Sequence, residues 1–146
     1  MTDISNRLED HKINIRIVLS ALWTAVMFCY IYGDYFELYV PKKVEGLLNG
    51  QNMLDSPMKL LVATIILTIP ALMIFLSLLL NSQLTKWLNI GVGLFFTLFT
   101  LLVGISAMTE WRAFYVFLSF LESILTAIVV VKAWNWRKVK ASHGNN

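Results

Sequence analysis

A single glutamate, Glu122, stands inside the apolar stretch from Phe114 to Trp136. Helical rise places it about 12 Å from Phe114, and an ionised side chain that deep in an apolar layer costs at least about 2–3 kcal/mol. Such a carboxyl is expected to face the protein interior and to be protonated or paired. Tyr115 and Ser119 precede it by seven and three residues and Thr126 follows by four, so the four share one helical face. A second seam runs through Arg16, Ser20, Trp23, Met27, Tyr30, Asp34 and Glu37 at steps of four and three. If the two helices run antiparallel, Met27 is level with Glu122, and Tyr30 and Asp34 lie one and two turns above. Thr100 of a further helix comes to a similar height. The expected pocket gathers Glu122, Tyr30, Asp34, Glu37, Thr100 and Ser119, flanked by Trp23 and Tyr115. A buried carboxylate of this kind can exchange a proton for a cationic ligand, or it can hydrogen-bond a tyrosine or threonine and fix helix packing. Both readings stand for Glu122. For Asp34 and Glu37, near an interface where hydration makes charge inexpensive, the structural reading is preferred.

The elements that must position these groups follow from the charge-free runs. They cover 17 residues from Ile17 to Gly33, 26 from Leu60 to Thr85 and 23 from Trp87 to Thr109. A hydrocarbon layer about 30 Å thick takes roughly 20 helical residues, so each can span one, and Phe114 to Trp136 makes a fourth. A soluble four-helix bundle would need a polar face on every helix, and Leu60 to Leu80 offers only Thr64, Thr68 and Ser77. The chain of 146 residues, 58% apolar and 14% charged, is therefore read as all-α: one integral membrane domain, an up-and-down bundle of four transmembrane helices over residues 13–35, 57–80, 86–108 and 114–136.

Local signals refine that outline. Tyr30, Tyr32, Tyr35, Phe36 and Tyr39 form an aromatic group suited to a membrane interface. Residues 42–56, with Gly46 and Gly50 among leucines, read as a loop holding a short interfacial helix. Pro57 suits a first helical turn, and Pro70 removes one backbone donor mid-helix and is expected to kink it. Gly93, Thr97, Thr100, Gly104 and Ala107 recur at alternating steps of four and three, a small-residue face on which a second copy could pack. The short connection over 81–86 makes the second and third helices antiparallel neighbours.

Charge sets the orientation. Arg7, Lys12, Arg16, Lys86, Lys132, Arg137, Lys138 and Lys140 fall on the side of the termini, against Lys42, Lys43, Lys59 and Arg112 on the other. By the positive-inside rule both termini are cytoplasmic, and the basic tail reads as a contact for anionic lipid, with no nucleic-acid role. The polar first twelve residues and the lack of a small-residue cleavage site argue against a cleaved signal peptide.

Several chemistries lack their residues. His11 and His143 lie in the polar termini, and Cys29 is the only cysteine, so neither bis-histidine haem nor a metal cluster is expected, and no cofactor is assigned. Cys29 reads as a small packing residue. GxxxxGK[ST], GxGxxG and GxSxG loops are absent. Acid catalysis by Glu122 on a lipid-soluble substrate is the enzymatic route left, and the chain is read as more plausibly a non-enzyme.

The segment Leu19 to Asp34, Ile69-Pro70, Trp87-Leu88-Asn89, Glu122 and Ala133-Trp134-Asn135-Trp136 together resemble a family of small four-helix bacterial membrane proteins of unknown function, similar in size to DoxX-like proteins. The resemblance implies a bacterial cytoplasmic membrane and marks Trp23, Tyr30, Asp34 and Glu122 as family-like polar positions. A DoxX-like relationship would imply an accessory role beside redox enzymes. Three functions are carried forward: a proton-linked binding or transport module for a lipophilic or cationic molecule, expected to work as a homo-oligomer; a non-catalytic subunit or scaffold of a membrane complex, with a partner membrane subunit; and a membrane-embedded acid catalyst.

Overall fold

The computed structural model describes residues 12–136. Arg7, His11, Arg137, Lys138, Lys140 and His143 lie outside the described residues. Helices α1 (Ile15–Glu37), α3 (Pro57–Leu79), α4 (Ser82–Ser106) and α5 (Ala113–Trp134) are joined by the short α2 (Lys43–Leu48) and a 3-10 turn at Glu110–Arg112. The four long helices, the last taken together with the 3-10 turn, are long and apolar enough to cross a membrane.

Side-chain caps set several boundaries. Asn14 accepts from the Arg16 amide, Ser56 from the Lys59 amide ahead of Pro57, and Asn81 from the Leu84 amide. The Asn81 cap starts α4 at Ser82, four residues before the start at 86 expected from the charge of Lys86. A lysine does not end a helix, and here its Nζ reaches across to the Trp134 and Trp136 carbonyls at 2.9 and 3.1 Å. Helix α3 continues unbroken through the buried Pro70. In the connecting segment α2 has no buried residue, and Leu48 and Met53 are 83% and 87% exposed.

The interior is more polar, and the exterior more apolar, than in a protein folded in water. The buried apolar residues include Leu19, Trp23, Val26, Met73, Phe96 and Val129, and an equal number of buried residues are polar, among them Asn89, Glu122 and a run of Ser and Thr. Large apolar side chains such as Phe28, Ile65, Leu98 and Phe117 face outward. Without a hydrophobic drive between helices in lipid, small and polar residues do the joining, and that is the pattern seen.

The helices are not equal neighbours. Helix α1 packs on α3 and α5, and α4 packs chiefly on α5, whereas α3 and α4 touch little despite the tight turn between them. The expected close pairing of these two is thus limited, because the small-residue face of α4 is turned to α5. A Cβ at Gly104 would lie 2.9 Å from Ser119 Cβ, and one at Gly93 2.9 Å from Val130 Cγ2. Thr97 Oγ1 donates to Thr126 Oγ1 at 2.9 Å, and the Thr100 and Ser123 hydroxyls share a 2.8 Å hydrogen bond. The face expected to serve dimerisation is consumed inside the chain.

Candidate functional site

Glu122 projects from α5 into the bundle, 6% exposed, and its carboxyl makes no hydrogen bond among the described residues. Only its backbone carbonyl is engaged, by Thr126 Oγ1 at 2.9 Å. Tyr30 on α1 lies close enough to feel the charge of Glu122, as do Cys29 and Asp34. The Tyr30 hydroxyl is buried and likewise has no hydrogen-bond partner. The Tyr115 ring lies over the bare backbone of Gly33, where an added Cβ would stand 3.7 Å from Tyr115 Cε2, and this brings α5 close to α1 about two turns from Glu122. An acid with no partner and a phenol with no partner thus share one interior region between α1 and α5. Satisfied polar groups are the rule in protein interiors, and each exception asks for a reason.

The other expected pocket residues belong elsewhere. Trp23 is fully buried, but its Nε1–H donates to Asn89 Oδ1 at 2.8 Å, nearer the terminal end of the bundle. Asn89 completes its pairing with the Ser77 hydroxyl at 3.2 Å and the Thr85 carbonyl at 2.9 Å, so α1, α3 and α4 meet in one satisfied knot. Thr100 and Ser119 belong to the α4–α5 seam, where Ser119 faces Gly104 and its carbonyl accepts from Ser123. Asp34 is exposed. Glu37 sits at the α2 end, where its Oε1 accepts from Lys43 Nζ at 2.9 Å and Arg112 Nη2 at 2.7 Å while Oε2 is buried without a partner. One expected pocket of eight residues is therefore several groups: Glu122, Tyr30 and Tyr115 remain together, with the exposed Asp34 at the edge of the same region.

Reading the α4 seam from Gly93 upward missed Asn89 and Thr85. Extending the same steps by four toward the start of the helix reaches both, and the buried residues Thr85, Asn89, Gly93, Phe96, Thr100 and Gly104 follow that course. The role of Arg16 was also hidden, since its guanidinium caps the far end of another helix. Nη1 donates to the Leu78 carbonyl at 3.0 Å, Nη2 to Ser82 Oγ at 2.9 Å, and the group lies 5.9 Å from the Trp136 ring centre. Arg16 and Lys86 thus satisfy carbonyls at the C-terminal ends of α3 and α5, where a cation also complements the helix dipole.

Among the described residues, fold and site together define four membrane-length helices, a core that is half polar and an interior acid, Glu122, whose carboxyl makes no hydrogen bond. Residues 7–142 match a family of unknown function (DUF6326), and the chain belongs to that family. No curated protein and no solved structure matches it, and no DoxX-like relationship is shown.

Proposed function

We propose that this chain is a multi-pass protein of the cytoplasmic membrane, with both termini in the cytoplasm, that binds a small lipid-soluble molecule between α1 and α5. The observation that carries the reading is the pair of neighbouring interior groups that make no hydrogen bond among the described residues, the carboxyl of the largely buried Glu122 and the fully buried Tyr30 hydroxyl. A neutral carboxyl can donate to a ligand oxygen, and the same carboxylate can accept from an ammonium, so proton exchange at Glu122 would be linked to binding. A lipophilic ligand fits better than a freely soluble cation entering from outside, because Lys42, Lys43, Lys59 and Arg112 all lie at the α2 end. Movement of the ligand between leaflets is the extension of this reading.

The chain purified from native membranes tests it by the lipid-soluble material it retains. The parent is expected to hold a compound near one equivalent, and Glu122→Gln and Tyr30→Phe each to lose it at least tenfold. Identical extracts from all three would end the proposal. The same purification addresses a second reading, a subunit of a larger assembly. It is favoured by the first turns of α3, where Met58, Leu60, Leu61, Val62 and Ile65 are exposed, and a stoichiometric partner would support it.

A further inference from the structure

The α2 end of the bundle carries five carboxylates, Asp34, Glu37, Glu45, Asp55 and Glu110, and four cations, Lys42, Lys43, Lys59 and Arg112. Summed charge there is slightly negative, yet the cations are not dispersed. All four line one open cavity of about 890 Å³ between the 40–43 turn, α2, the 50–55 loop and the start of α3, and Asp55 is the sole carboxylate among its lining residues. Lys43 and Arg112 converge on a single oxygen of Glu37, which leaves that trio with one net positive charge and leaves most of their N–H donors uncommitted. Lys59 pairs with Asp55 at 2.6 Å. Lys42 makes no ion pair among the described residues and holds a left-handed backbone, φ 64°, that a lysine rarely adopts. Counting Glu37, the cavity has a surplus of two positive charges.

Against this cavity, with Val40 common to both, lies a second cleft of about 290 Å³ lined by Phe36, Tyr39, Val40, Trp111 and Phe114. Its walls are almost wholly apolar and aromatic, and the consecutive residues Trp111 and Arg112 line one space each. A cationic basin with guanidinium and ammonium donors suits a phosphate, and the adjoining aromatic cleft suits an alkyl chain. The exposed Leu48 and Met53 beside it are consistent with interfacial depth, where such an amphiphile resides. We propose that the α2 end binds a phosphate-bearing amphiphile, its phosphate among Lys42, Lys43, Lys59 and Arg112 and its chain in the Trp111 cleft. This site is separate from Glu122.

Native mass spectrometry of the full chain released from detergent tests the assignment, with dihexanoyl phosphatidylglycerol, hexyl phosphate, dihexanoyl phosphatidylcholine and inorganic phosphate as probes. Phosphatidylglycerol or hexyl phosphate is expected to bind at least tenfold more tightly than phosphatidylcholine and than inorganic phosphate. Preference for the diester assigns a bilayer phospholipid, and preference for the monoester assigns a single-chain phosphate. The double variant Lys42→Gln, Lys59→Gln, which leaves the Glu37 pairing intact, should weaken the preferred probe at least tenfold, and Trp111→Ala should weaken it while leaving inorganic phosphate unchanged. Equal binding of phosphatidylcholine, inorganic phosphate binding as tightly as the lipids, or undiminished binding by a double variant that melts like the parent would each overturn the proposal.

Discussion

Two kinds of buried polar residue occupy this interior, and they differ in whether their hydrogen-bonding capacity is met. Asn89 is met in full by Trp23, Ser77 and the Thr85 carbonyl. Trp23→Phe deletes one donor and leaves part of the fully buried indole volume empty, and should lower stability by about 1–2 kcal/mol, or about 2–8 °C in melting temperature in detergent. Asn89→Ala should cost more, about 1–3 kcal/mol, because it strands the Trp23 indole N–H and the Ser77 hydroxyl. Melting curves that match the parent would show the knot to be dispensable. Glu122 was legible in the sequence because a lone acid in an apolar stretch has no inexpensive explanation. Trp23 was misplaced because spacing reveals the face of a helix and says little about which neighbour's polar group stands at that height.

At the scale of the elements, the number of long helices followed from the charge-free runs, whereas their pairing did not. A short connection makes α3 and α4 consecutive, but closeness is decided by where backbones can approach, and Gly93 and Gly104 direct that approach to α5. Gly104→Val should therefore force α4 from α5 at Ser119 and cost about 1–3 kcal/mol. Gly91 has no atom within 4 Å of where its Cβ would be, so Gly91→Ala should be neutral or gain up to about 1 kcal/mol from helix propensity. Thermal unfolding of the two variants should separate them clearly, and equal losses would contradict the packing described here. Boundaries were legible where a cap was present and lost where charge was taken as a stop, as at Lys86.

The whole molecule is tied at both ends by charge and joined through its middle by small polar contacts. Arg16 and Lys86 close the terminal end on helix carbonyls, and Glu37 draws α1, α2 and the turn before α5 together at the other. The same cations feed the proposed orientation. In a Cys29→Ala background, a single cysteine at Met53 should react with a membrane-impermeant maleimide added to intact cells, and one at Gln83 only after lysis; the reverse pattern would invert the topology. The central claim is that the Glu122 carboxyl and the Tyr30 hydroxyl are kept for a ligand and make no hydrogen bond that holds the helices. Its most direct test is thermal unfolding of ligand-stripped protein in detergent for the parent, Glu122→Gln and Tyr30→Phe. Tyr30→Phe removes a buried unpartnered hydroxyl and is expected to melt at or above the parent temperature, and Glu122→Gln, which exchanges a carboxyl without a hydrogen bond for an amide of the same size, is expected to melt at the parent temperature, since neither loses a hydrogen bond. A fall of several degrees in both variants would contradict the account and make the pair a structural contact.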